Sequence, residues 1–175
     1  GKGPIGVRWV VVNKGDAENP EIRARLVTQD FKANDPSCTD YFAATPPLES
    51  LRILMSLAMT EEKGKTTPDL VMIIDVRQAH FHSDISQPTY VKLCPEESHK
   101  MINGEVTGDG TCAKLVKTMY GLRQAALNWE KAYTKALKEM GFTQGVANPC
   151  LFEHPTQRDR CYVHQRRHPV AHGTH

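Results

Sequence analysis

Long apolar runs are missing from this 175-residue chain, and so is a strong excess of either charge. Its longest uninterrupted apolar stretches, such as the five residues 70–74, fall far short of the roughly 20 needed to cross a bilayer, so a soluble protein without a membrane partner is expected. Twenty-two Lys and Arg against 20 Asp and Glu leave a net charge of +2. Bulk charge therefore announces no nucleic-acid binder, and such a role would have to come from local clustering. No C-x-x-C pair occurs among the five scattered cysteines, Cys38, Cys94, Cys112, Cys150 and Cys161, and the N-terminus lacks a secretory profile. Reduced thiols in a cytosolic or nuclear setting follow. There is no internal repeat and no initiator Met, the latter expected of a fragment of a longer reading frame. The 39% hydrophobic content suits one globular domain or a piece of one, which sets aside collagen, coiled coil and wholesale disorder.

Periodicity supplies the elements. Residues 7–13 are β-branched and aromatic, a turn-rich stretch follows at 14–20, and 23–31 is again strand-like, which predicts an antiparallel hairpin. A loop is expected to Asp40. Thr45-Pro46-Pro47 then reads as a helix N-cap with proline in the first turn. Leu48, Leu51, Met55, Ala58 and Met59 recur at helical spacing, with an end expected near Gly64. Residues 70–76 predict a fully buried strand that delivers Asp75 to its end. A strand at 88–93, an excursion at 95–111 and extended chain at 114–119 suggest a β-arm. A helix over 123–140 carries Ala126, Trp129, Tyr133, Leu137 and Met140 on one stripe, with Gly141 at the C′ position. That spacing favours core packing over a base-stacking platform. Two short strands, 151–154 and 161–164, flank a turn, and the apolar pattern then stops, so 165–175 is expected to be a disordered tail beyond a domain spanning 1–164.

Several residues carry two readings. A carboxylate closing an apolar strand, as Asp75 does, must be a cap or turn residue or face a cation or metal. Arg23 and Arg25, two apart on a strand, share a face that is either solvated or able to clamp a triphosphate by charge-assisted hydrogen bonds. Gln124, just inside a helix N-terminus, reads by position as a polar helix-start residue. Lys114, Lys117 and Arg123 are scattered surface bases or phosphate contacts. His80, His82, His99 and the tail histidines show no zinc-ligand spacing with cysteine, so a metal-binding or interaction protein ranks last.

The segment Asp75-Val76-Arg77-Gln78-Ala79-His80-Phe81 resembles the D-V-[KR]-x-A-[FYH]-[FL] motif of reverse transcriptases from copia-type LTR retrotransposons. Further matches follow in the family's order: Ile5-Gly6-Val7-Arg8-Trp9-Val10, Arg23-Ala24-Arg25-Leu26-Val27, Asp40-Tyr41-Phe42, Pro46-Pro47 with Leu51-Arg52, Tyr120-Gly121-Leu122-Arg123-Gln124-Ala125, and Asn148-Pro149-Cys150-Leu151-Phe152. The resemblance implies an α+β fold, the fingers and part of the palm of a right-hand polymerase that copies RNA or DNA. Its partners would be a template-primer, dNTP and the remainder of a Pol polyprotein, in the cytoplasm or nucleus and, for an intact element, in a virus-like particle. By the same resemblance Asp75 is a catalytic ligand of Mg2+ or Mn2+, and the backbone carbonyl of Val76 a further ligand. Arg25, His80, Phe81 and Gln124 would face the nucleotide, with Arg23 beside Arg25 on the strand, while Lys114, Lys117 and Arg123 are nucleic-acid contacts on their charge alone. His80 stands where Phe or Tyr is usual.

One departure is large. The family places an x-D-D turn after the strand that here reads Cys161-Tyr162-Val163-His164, and this chain has Gln165-Arg166-Arg167. Two cations in place of two anions remove metal ligands and repel a cation. If Gln165-Arg166-Arg167-His168 is encoded CAR-CGA-CGA-CAY, a one-nucleotide shift reads Ser or Asn followed by Asp-Asp, and any other arginine codon there excludes that origin.

Overall fold

The computed structural model describes residues 3–31, 41–60, 70–93, 101–102, 105–106 and 112–164. The expected loop before Asp40, the helix end near Gly64 and the tail from 165 lie outside them. The chain forms two compact units, one from Gly1–Phe42 with Ala79–Ala132, the other from Ala43–Gln78 with Tyr133–His175. Helices and small antiparallel sheets make both up, in keeping with α+β.

In the first unit, β1 (Val7–Asn13) and β2 (Ile22–Thr28) form the expected hairpin, in register from Val7↔Thr28 to Asn13↔Ile22. Its turn is written in short polar side chains. Asn13 Oδ1 accepts the N–H groups of Gly15 and Glu21 at 3.0 and 2.9 Å, and Asp16 Oδ1 accepts those of Glu18 and Asn19 at 3.0 and 2.6 Å. Ile5 bridges Val91 in β3 (Tyr90–Lys92), which pairs antiparallel with β6 (Cys112–Lys114). Between them β4 (Met101–Ile102) and β5 (Glu105–Val106) pair within the predicted excursion. The core gathers Met119, Leu122 and Ala125, with Ile5, Leu26, Ile85 and Leu115 packed against it. Burying Met119 and Leu122 contributes about 1.5–3 kcal/mol each, and the methyl of Ala125 roughly 0.8 kcal/mol.

Helix α2 (Ala125–Glu139) gives its first half to this unit and its second half to the other. It starts two residues later than expected and stops as predicted. Gly141 takes φ +94° while its N–H reaches Lys138 O at 3.0 Å and the Phe142 N–H reaches Leu137 O at 3.0 Å. That bond pair is a Schellman cap, which suits glycine because a left-handed residue with a Cβ costs energy. Tyr133 on the predicted stripe is buried and Trp129 half-buried, whereas Met140 at its end is 59% exposed.

The second unit departs more from expectation. Helix α1 (Leu48–Ala58) is capped by Pro47, not Thr45, with no side-chain cap bond. Its half-buried positions are Ser50, Leu51, Leu54 and Ala58, while Leu48, Met55 and Met59 of the predicted face are exposed. The helix has rotated its packing stripe by about one residue, because the groups it meets come from the Asn148-Pro149-Cys150 corner. There Asn148 Nδ2 donates to Ser50 Oγ at 2.8 Å, Cys150 Sγ to Ala44 O at 3.7 Å, and Tyr162 Oη to Pro47 O at 2.7 Å. β7 (Thr143–Gln144), β8 (Leu151–Glu153) and β9 (Arg160–Tyr162) build a three-stranded sheet. Phe152, fully buried, meets the Tyr133 ring edge-on at 6.1 Å.

The largest correction concerns residues 70–76. They form no strand, and Leu70, Met72, Ile73 and Ile74 are 95, 79, 89 and 70% exposed. An apolar run becomes a buried strand only where neighbouring strands receive its backbone and both faces are covered, and no described strand does so here.

Candidate functional site

In the first unit the motif segments converge on the end of β2. Tyr120 O accepts the Thr28 N–H at 2.8 Å and the Thr28 hydroxyl at 3.1 Å. Gly121 follows with φ +88°, and a Cβ there would sit 2.1 Å from Thr28 O, so only glycine permits this approach. Asp30 Oδ2 accepts the Arg123 N–H at 3.1 Å, and the Arg123 guanidinium lies 5.6 Å from the Tyr41 ring centroid. The 3-10 turn Ala79–His82 sets His80 and Phe81 edge-on against Tyr120, at 5.0 and 5.6 Å between centroids. Four motif segments that are far apart in sequence thus share one neighbourhood.

The sequence-derived residues fall into distinct settings. Arg23 and Arg25 do share a face of β2, and the cross-strand register adds Arg8, opposite Val27, to it. Arg23 is held by Glu21, its Nε and Nη2 lying 2.9 and 2.7 Å from Oε1; Arg25 is half-buried. Lys114 is exposed on β6, while Lys117 Nζ is bound to Asp84 Oδ1 at 2.6 Å. Gln124 is 6% exposed, its Oε1 accepting the Ser86 hydroxyl at 2.7 Å. Asp75 and Val76 belong to the second unit, in the exposed 70–76 segment without regular secondary structure.

The sequence did not point to the buried polar set Ser83, Thr118 and Asn128, which holds the 3-10 turn to the chain before Tyr120. Thr118 N–H donates to Ser83 O at 2.9 Å, Thr118 Oγ1 to Asp84 O at 3.3 Å, and Asn128 Nδ2 to Thr118 Oγ1 at 3.4 Å. The available signal was Asn128, a lone polar residue beside the apolar stripe of α2. In the second unit, burial raises the Cys161 thiol above its ordinary 9.0.

The arrangement offers a cationic hairpin face and an aromatic corner, both suited to phosphates and bases. Asp75 contributes one carboxylate, and among the described residues no three His, Cys, Asp or Glu side chains come together to hold a metal ion. Nor is any described helix long and apolar enough to cross a membrane.

The order of these motifs points to a polymerase-like protein. Residues 1–163 match the family described as Reverse transcriptase (RNA-dependent DNA polymerase), and the chain belongs to it. It is 28% identical over 156 residues, 87% of its length, to the Retrovirus-related Pol polyprotein from transposon TNT 1-94 of Nicotiana tabacum, of which that covers 11%. It is also 26% identical to the Pol polyproteins from transposons RE1 and RE2 of Arabidopsis thaliana, over 85 and 91% of the chain and 10% of each relative. The chain therefore spans about a tenth of the length of these relatives, all from copia-type elements. No solved structure matches it.

Proposed function

We propose that this chain is the fingers and part of the palm of a retrotransposon RNA-directed DNA polymerase, and that alone it binds template-primer without extending it. The observation that carries the reading is the pairing of Asp75, inside a well-matched motif, with Gln165-Arg166-Arg167 where the family has two carboxylates. Nucleotidyl transfer of this class uses two divalent ions, Mg2+ or Mn2+, on the attacking and leaving oxygens, and needs several carboxylates to hold them. A single one leaves the ions without a home. Losing several kcal/mol of transition-state stabilisation slows the reaction by roughly a thousandfold or more.

Binding asks less. Arg8, Arg23 and Arg25 on one hairpin face, with Lys114 and Arg123, supply phosphate partners, and Lys117 joins them if a phosphate displaces Asp84. His80, Phe81 and Gln124 act here as the residues that shape the nucleotide side of the corner, His80 and Phe81 through Tyr120. The shared arginine face also supports a second reading, a non-catalytic nucleic-acid-binding remnant.

Primer extension on RNA and DNA templates with Mg2+, beside fluorescence anisotropy on the same template-primer over a salt series, tests both. Salt-dependent binding without incorporation is expected. Robust incorporation overturns the inactivity, and binding that is absent at low salt overturns the nucleic-acid reading.

A further inference from the structure

The ribbon of β3 and β6 in the first unit has two unlike faces. Alternation along the strands turns Val91, buried, and Ala113, half-buried, inward. Tyr90, Lys92, Cys112 and Lys114 share the outward face, all of them exposed, and neither strand contains an acid. The register sets Tyr90 directly opposite Lys114, and Lys92 opposite Cys112. The Tyr90 ring therefore has one lysine stem across the ribbon and another two positions along its own strand, each roughly 5–7 Å away at Cβ.

These side chains differ from their counterparts in being unengaged. Among the described residues Arg23 is bound to Glu21, Lys117 to Asp84 and Arg160 to Glu153, whereas Lys92 and Lys114 meet no carboxylate. His80 and Phe81 lie against Tyr120, Trp129 against His82 and Tyr133 against Phe152. Tyr90, 43% exposed, packs on no described ring. A solvated strand face has no use for an aromatic between two uncompensated cations, but a nucleotide strand does, since a base offers a ring to stack on and its flanking phosphates offer two anions.

We propose that this face binds unpaired template strand, Tyr90 stacking on a base while Lys92 and Lys114 hold the phosphates to either side of it. The proposal rests on the nucleic-acid reading above and adds to it a second site, specific for a single strand. A duplex does not fit, because its bases are already stacked on one another and leave the Tyr90 ring no free base face. An acidic peptide would answer the lysines alone. Stacking is also tolerant of sequence, as a surface that passes any template requires.

Fluorescence anisotropy of the full chain on one template-primer duplex, either blunt or with about ten unpaired nucleotides of template, tests the site. The extension should tighten binding. Tyr90→Ala should weaken binding of the extended substrate about 5- to 100-fold and leave the blunt duplex unaffected, and Tyr90→Phe, which keeps the ring, should retain the original affinity. Lys92→Ala should lower the salt slope on the extended substrate by about 0.7, the value for one single-strand phosphate, and Tyr90→Ala should leave that slope unchanged. An extension that adds nothing while the blunt duplex binds overturns this proposal alone, whereas failure to bind either substrate overturns the nucleic-acid reading with it. Equal weakening of both substrates by Tyr90→Ala, or a Tyr90→Phe as damaging as Tyr90→Ala, removes stacking as the role of the ring and overturns the site.

Discussion

Replacing Gly121 by alanine tests how the motif segments are brought together. Two costs add. A left-handed φ of +88° in a residue with a Cβ costs about 1–2 kcal/mol. The new methyl would also lie 2.1 Å from Thr28 O and 2.9 Å from Thr28 N, so the end of β2 must retreat by about 1 Å to reach the ~3.3 Å at which carbon and oxygen pack. That retreat stretches the two hydrogen bonds that Tyr120 O accepts from Thr28, each worth about 1 kcal/mol. The expected loss is about 3–4 kcal/mol, a large part of the 5–15 kcal/mol that typically holds a domain together. For a chain of this size that lowers the melting temperature by about 10 °C. Gly3, where a Cβ would meet nothing within 4 Å, is the control, and Gly3→Ala should change stability by less than ~0.5 kcal/mol. Urea and thermal melts followed by circular dichroism provide the measurement. A Gly121→Ala melting temperature within about 2 °C of the original would refute the close approach of the 120–121 turn to β2.

Other outcomes follow from the same geometry. Phe152→Ala removes a fully buried ring and should cost about 3–5 kcal/mol in urea unfolding. Because burial raises the Cys161 thiol above 9.0, the unfolded chain releases that proton first. Stability present below about pH 9 is therefore lost as pH rises through the raised value, and Cys161→Ser should flatten the fall of the urea midpoint above about pH 9. Arg25→Ala should weaken template-primer binding on all sequences alike and reduce its salt slope by about one, as read by anisotropy.

What could be read without coordinates was what neighbouring residues decide. The β1–β2 hairpin was legible because its turn is built from Asn13 and Asp16 side chains bonding their own local backbone, and the end of α2 because Gly141 answers a local conformational demand. Family membership was legible because the motifs occur in order, which no single motif conveys. Residues 70–76 were misread since apolarity states a need for cover without supplying it. The α1 stripe shifted because its partner Asn148 lies 98 positions from Ser50. β7 is two residues long and carries no period. Gln124 could be recognised as a motif residue, but its partner Ser86 is 38 positions distant, and its burial becomes visible only once Leu122 and Ala125 enter the core beside it.

Gln124 carries a consequence for genetics. A buried amide that both sits within a family motif and fastens the exposed Ser86 is pleiotropic: deleting it injures the scaffold as well as any ligand contact. Loss-of-function alleles at this codon therefore report architecture first. Separating the two is hard at this position, because the amide oxygen accepts the Ser86 hydroxyl while its nitrogen reaches Thr89 Oγ1 at 3.5 Å, and Gln124→Glu would lose the donor and bury a charge.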